Sequence, residues 1–397
     1  MSLLRSLRPW HVLGFPALLI HPVAVFANKG VAVLFIISAV GAVGMLLRER
    51  SLLAHIPKTL AKLIVAFLIW AGLSSFWSTA PDASLRQWTI LVGVALGGLA
   101  LAAISCSLSG EDRRRIARVY LIGFGLGLFF LIEEMLTDSF LSNLYRTSPK
   151  FLLNHGATIL ALGLGPAVLI LRSWGRLKEA AALVAVTVVA LGWSDSLGAF
   201  FGLAVGTLVL IAILYRPAPA LKALIVVLAV GALSAPLIVR LLPDGRTLIE
   251  RNVPASYLFG PRLYIWSNAV DRIVQKPLAG WGLNTSSTFS RYYEAEKVGY
   301  LTIEAIPLHP HNAILQWWLE LGLVGAALGG AIVVGLVAAI RHRIDDPWQA
   351  GIAAATLAIA VCIAALSYSV WQSWWMGACW LIGVFVATFS RPPASTA

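Results

Sequence analysis

The stretch LGAFFGLAVGTLVLIAIL, residues 197–214, runs for eighteen positions without a charged side chain. At a helical rise of about 1.5 Å per residue it covers most of the roughly 30 Å hydrocarbon core of a bilayer. Comparable runs recur along the chain. Spans are expected near 10–27, 30–47, 61–77, 87–107, 119–136, 151–171, 180–195, 197–214, 221–239, 313–340, 348–366 and 373–390. Lipid offers no partner to a backbone N–H or C=O, so segments of this length must be helices that satisfy their own hydrogen bonds. The expected fold is all-α, a polytopic membrane bundle of about 12 transmembrane helices. The composition agrees, since 59% of the 397 residues are hydrophobic and 12% charged, where a soluble domain carries about twice that charged share. The bundle uses up the chain, so residues 1–397 read as one transmembrane domain.

The formal net charge of +12 raises the question of nucleic acid. The basic residues, however, are scattered between apolar runs, which argues against a nucleic-acid partner and for a topological role. Arg48, Arg50, Lys58 and Lys62, then Arg113–Arg115 and Arg118, Arg172, Arg176 and Lys178, Arg216 and Lys222, and Arg341 and Arg343 fall on one side. Lys29, Arg86, Arg146 and Lys150 are sparser on the other. The positive-inside rule puts the first set and both termini in the cytoplasm. The N-terminal run behind Arg5 and Arg8 lacks a small-residue cleavage site and reads as a retained helix. Cys106, Cys362 and Cys379 fall in or beside apolar spans and read as packing residues.

A transporter of twelve spans would show two similar halves and charged residues at mid-membrane. Here the halves differ, no span centre carries a clear buried charge, and Asp195 and His155 are the nearest candidates. The unusual feature is one long, partly helical loop at 240–312 on the outer side, periplasmic in a Gram-negative host. Its aromatic and apolar periodicity predicts order. Gly260-Pro261-Arg262 is expected to open a helix, with Pro261 at the first position. Leu263, Trp266, Val270, Ile273 and Val274 would form an apolar face and Tyr264, Asn268, Asp271, Arg272 and Gln275 the opposite one. That helix would lie flat at the membrane surface. Pro277 ends it, and Gly280 and Gly282 allow a turn around Trp281. In a first turn, Arg262 would add a bidentate fork to an anion-binding helix N-terminus. Its plainer reading is a snorkelling arginine.

Leu308-His309-Pro310-His311-Asn312-Ala313 predicts a second helix start at Pro310. His311 in the first turn would be a neutral imidazole, suited to a general base. Asn312 would orient its ring or bind a sugar. The two histidines could instead ligate a metal, with Glu304 as a weak third ligand. Trp317 and Trp318 read as interfacial belt residues rather than a sugar platform.

His311-Asn312, followed after nine residues by Gly322 and after two more by Gly325, resembles the signature of the O-antigen ligase and polymerase superfamily. Arg262…Ile265-Trp266…Ala269…Ile273…Pro277-Leu278…Gly280…Gly282 is similar to its second hallmark segment. Leu73–Ser78 and Asn154-His155-Gly156 are weaker similarities. The resemblance spans about residues 60–390. It implies a metal-independent, cofactor-free, inverting glycosyltransferase of the bacterial inner membrane with a periplasmic site. The donor would be an undecaprenyl-pyrophosphate-linked glycan, and the acceptor a sugar hydroxyl of lipid A-core or, in a polymerase, a second lipid-linked glycan. His311 matches the family's catalytic histidine and Arg262 its pyrophosphate-binding arginine, with Asn312 and His309 beside them. Many relatives carry Ser-Arg-Gly where this chain reads Ser194-Asp195-Ser196-Leu197-Gly198. Arg146, Arg272, Arg291 and His155 are the candidates for the missing positive charge.

Overall fold

In the computed structural model the described residues are 8–144, 150–194, 196–254, 256–289, 296–299 and 301–390. All twelve apolar runs form helices. They are α1 Pro9–Phe26, α2 Gly30–Arg48, α3 Lys58–Leu73, α4 Pro81–Ser107 and α5 Gly110–Leu136; then, after a single turn α6 Phe140–Asn143, α7 Lys150–Ser173, α8 Leu177–Trp193, α9 Leu197–Tyr215 and α10 Pro217–Arg240. The loop follows, with α11 Gly245–Glu250, α12 Ser256–Ile273, α13 Ser286–Phe289 and a small antiparallel hairpin, β1 Glu296–Val298 with β2 Leu301–Ile303. The bundle resumes with α14 Ala313–Arg343, α15 Pro347–Leu366 and α16 Ser373–Phe389. Among the described residues ten helices are long and apolar enough to cross a membrane, and α16 is a shorter apolar one. The chain is therefore an all-α polytopic membrane bundle. The hairpin is a detail that periodicity did not reveal. It seats Val298 against Ile249 and Tyr264.

Helix α1 is wrapped by α2, α5 and α7. Its Leu13, Ala17, Ile20 and Ala24 recur on one face and are wholly buried. Gly123 and Gly127 of α5 and Gly156 of α7 let their backbones approach α1 where a Cβ would clash, and such close approach replaces the hydrophobic drive that lipid does not supply. One expectation fails here. The spans do hold buried polar groups, because His21, Glu134 and Glu320 are fully enclosed. The Tyr120 hydroxyl lies 3.4 Å from His21 Nε2 and donates to the Gly163 carbonyl at 2.9 Å. This is one enclosed contact rather than a line of polar groups. Glu134 accepts from the Ser142 N–H at 2.9 Å near the end of α5. Asp195 lies outside the described residues.

Helix α14 is broken. Gly322 has φ 66° and ψ −165°, which splits it into a half-helix ending at Leu321 and a long span beginning at Leu323. Breaking a helix orphans backbone groups on both sides, and each must find a partner in a dry interior. The turn 277–282 supplies them. Leu323 N–H donates to Pro277 O at 2.8 Å, while Trp281 and Gly282 N–H donate to Leu319 O and Glu320 O at 3.0 and 2.8 Å. Trp70 Nε1–H takes the Leu321 carbonyl at 2.9 Å. A Cβ on Gly322 would meet the Leu278 carbonyl at 2.2 Å, so nothing larger than hydrogen fits. The turn is itself pinned by the Leu73–Ser78 segment, where Ser74 Oγ accepts the Leu283 N–H and Trp77 donates to Ala279 O. Three of the four family-like segments thus form one interlocked scaffold.

The loop helix differs from its expected form. Helix α12 begins at Ser256, with Pro261 inside it rather than at its start. Its buried face is Tyr264, Ile265, Ala269, Val270 and Ile273, whereas Val274 is exposed. It packs against α10, α11 and α14, and Arg240 pairs with Asp271 to tie it to the end of α10. Packing against these three helices covers that face.

Candidate active site

The connection 367–372 between α15 and α16 organises the site. An α-helix leaves its last carbonyls unpaired and carries a partial negative charge at that end. Arg262 Nε–H donates to the Leu366 carbonyl at 3.0 Å, and its Nη1 donates back to Leu258 O at 3.2 Å. Among the described residues two of the five guanidinium donors are used, and the remaining three can face a ligand. One residue on, the Ser367 carbonyl lies 2.9 Å from His311 Nδ1. A carbonyl only accepts, so Nδ1 carries the proton and Nε2 is left as an open acceptor. Consecutive carbonyls therefore hold Arg262 and His311 side by side.

Both side chains were expected in the first turns of helices, and neither is there. Arg262 sits past the first turn of α12, because that helix starts six residues earlier. His311 precedes the N-cap of α14, with φ 51°. Pro310 does not start the helix. Asn312 does, as its cap, and its Oδ1 accepts the Ile314 and Leu315 N–H groups at 3.0 Å each. That bond set commits the Asn312 oxygen to the backbone rather than to the His311 ring. The negative end of α15 faces the site as well, beside the N-terminal end of α14 that follows His311.

His309 packs beside His311, with ring centroids 4.2 Å apart. Its Nδ1 accepts the His311 N–H at 3.2 Å, so the neutral ring carries its proton on Nε2. Burial, with some repulsion from His311, lowers the His309 pKa from 6.5 to about 3. The His311 pKa is also lowered, first by burial and further by the Arg262 charge, while the Ser367 carbonyl acts to raise it. Burial lowers the Arg262 pKa too, but a guanidinium stays charged at any working pH. Trp266 Nε1–H holds the Pro310 carbonyl at 3.0 Å, which fixes the histidine segment to α12. Among the described residues no group of three or more His, Cys, Asp or Glu is arranged to hold a metal ion.

The remaining candidates divide. The His155 ring stacks on Tyr368 at 5.4 Å, and the Tyr368 hydroxyl lies 3.0 Å from Thr158 Oγ1. His155 therefore adjoins the connection whose Ser367 holds His311. Gly198 also meets it, since a Cβ there would fall 2.5 Å from Ser367 Oγ. The start of α9 is thus next to the connection. Arg272 is not brought in. It lies ten residues beyond Arg262 on α12, roughly 15 Å along the axis. Its guanidinium instead sits over the Phe289 ring at 5.6 Å. Arg146 and Arg291 lie outside the described residues. Trp318 is buried and donates to the Ala232 carbonyl at 2.8 Å, and Trp317 packs on Phe67. Both indoles thus pack against neighbouring helices of the bundle.

Sequence reasoning missed Leu366–Gln372 and Glu320. Glu320 accepts from Asn284 N–H, from Ser286 N–H and Oγ–H, from Gln316 Nε2–H at 3.0 Å and from Trp371 Nε1–H at 2.6 Å. Gln316 Oε1 in turn accepts the Val370 N–H at 3.1 Å. The available signal was Ser367-Tyr368-Ser369…Trp371-Gln372, a polar break between two apolar spans, expected on the same side as the loop.

Residues 180–330 match the family described as O-antigen ligase. That range runs from α8 into α14 and takes in Arg262 and His311, but ends before the connection. A Rickettsia conorii protein named "putative polysaccharide ligase" is 27% identical over 325 residues, 81% of this chain and 77% of its own. A Rickettsia typhi protein with the same name is 26% identical over 340 residues, 84% of this chain and 80% of its own.

Proposed function

We propose, from the premise that this chain is a multi-pass membrane enzyme of polysaccharide assembly in the O-antigen ligase superfamily, that it joins a glycan from undecaprenyl pyrophosphate to a sugar hydroxyl of lipid A-core. The observation that carries the reading is the Ser367 carbonyl on His311 Nδ1, which leaves Nε2 as an acceptor beside Arg262. His311 Nε2 takes the hydroxyl proton as the acceptor oxygen bonds to the anomeric carbon from the face opposite the pyrophosphate. The anomeric C–O bond breaks, and its electron pair leaves on undecaprenyl pyrophosphate. The configuration inverts. Arg262 directs its three remaining N–H groups at the phosphate oxygens, where negative charge grows during bond cleavage. His309 offers a neutral Nε2–H donor, and His155 is a candidate for the second pyrophosphate contact. The loop end of the bundle is periplasmic in this reading, with both termini in the cytoplasm.

The test uses purified protein in detergent with lipid-linked repeat, with and without lipid A-core. Glycosylated lipid A-core is expected from the native chain and not from His311→Ala. Elongated lipid-linked glycan without any lipid A-core product would replace the ligase reading with a polymerase. Undiminished product from His311→Ala would remove the histidine from the chemistry.

A further inference from the structure

The connection 367–372 has little structure of its own. Within it, Gln372 N–H reaches Ser369 O at 3.3 Å and Trp371 N–H reaches Ser369 Oγ at 3.2 Å. It is held from outside, by α7 through Tyr368, by α4 through the Gln87 bond to the Trp371 carbonyl, and at most points by the half-helix Ala313–Leu321 with the residues just before it. Residues 312, 316 and 320 share one face of that half-helix, four apart. Along this face the connection is fastened at Ser367 by His311, at Val370 by Gln316 and at Trp371 by Glu320. Glu320 also holds Gln316 in place and gathers Asn284 and Ser286 from the turn docked at Gly322. Every group bonded to the Glu320 side chain is neutral.

We infer that Glu320 is a positioning residue for the site: through Trp371 and Gln316 it fixes the connection in the register that sets the Leu366 and Ser367 carbonyls on Arg262 and His311. An amide at position 320 would turn an N–H toward one of these donors and leave buried groups unpaired. The connection would then shift, and His311 would lose the carbonyl that fixes its tautomer. Displacement of about 1 Å can cost about a hundredfold in rate. The catalytic consequence rests on the reading of His311 as the base. The positional one does not.

The experiment follows the imidazole directly. Diethyl pyrocarbonate acylates neutral imidazole, so its reaction with His311 in the full chain, read by mass spectrometry across pH, reports when that ring deprotonates. The charged or titratable groups facing His311 are Arg262 from α12 and His309 from its own segment; the connection presents neutral Ser367 and Tyr368. The Ser367 contact favours the protonated ring. Its loss is therefore expected to move the midpoint to lower pH. Glu320→Gln changes the acceptor itself, so Trp371→Phe is the decisive variant, since it keeps the Glu320 side chain and removes a single donor. It remains available should Glu320→Gln fail to fold. A midpoint moved downward in Trp371→Phe, with glycan transfer reduced, is the expected result. A moved midpoint with undiminished transfer would support the positioning role and remove His311 from catalysis. An unmoved midpoint in Trp371→Phe overturns the inference.

Discussion

His311 sits at φ 51°, a region that a non-glycine residue occupies only when its surroundings hold it there. Its N–H bond to His309 and its ring bond to Ser367 supply that hold. With His311 as the base of the proposed transfer, the expected consequence is a pH limb. A base must be unprotonated, and burial and Arg262 keep the ring pKa below 6.5. Initial transfer rates should thus rise with pH to a plateau whose half-point lies below 6.5. His309 makes a stability prediction of the same sign. With its folded pKa of about 3 below the ordinary 6.5, the unfolded chain binds the extra proton between those values. Stability is complete above that window and falls as pH drops through it. His309→Asn should flatten the acid side of a plot of melting temperature against pH. Arg262→Lys keeps a charge but cannot reach Leu366, Leu258 and a phosphate together. A loss of about 10²–10³ in turnover is expected in the glycan-transfer assay.

At the scale of elements, the break in α14 decides where the site lies. Gly322→Ala would place a methyl at a positive φ and against the Leu278 carbonyl. A loss of at least about 2 kcal/mol is expected, visible as a lower melting temperature or lower folded yield in detergent. Trp70→Phe would strip the Leu321 carbonyl of its donor at a cost of about 1–3 kcal/mol. That variant should melt earlier than the native chain. The spacing from His311 to Gly322 and Gly325 was legible in the sequence as a pattern, yet its physical content was not. Gly322 is needed because another backbone must enter the helix at that point. The partners that enter lie some forty residues earlier, at 277–282, and no local signal links the two stretches.

At the scale of the whole molecule, the alternation of basic connections predicts both termini on the side opposite the loop. Reporter fusions at the C-terminus and within 241–254 should give opposite compartments, and the same compartment for both would refute the assignment. Metal-independent transfer predicts activity that persists after chelation. Loss restored by a divalent cation would contradict it.

The sequence by itself determined the all-α membrane bundle and pointed to Arg262 and His311 as residues to watch, but it expected about twelve spans where ten described helices are long and apolar enough to cross and α16 is a shorter apolar one. Hydrophobic length and side-chain chemistry are written residue by residue, so they survive reading in one dimension. It misplaced both residues in helical first turns, because helix ends depend on which faces find partners. The tertiary structure alone decided that α12 starts at Ser256 and that Asn312 is a cap. It alone showed that the carbonyls of Leu366 and Ser367 orient the two side chains. Every residue has a carbonyl, so the groups that hold this site carry no signature in sequence. Only the meeting of a helix C-terminus with the loop gives them a role.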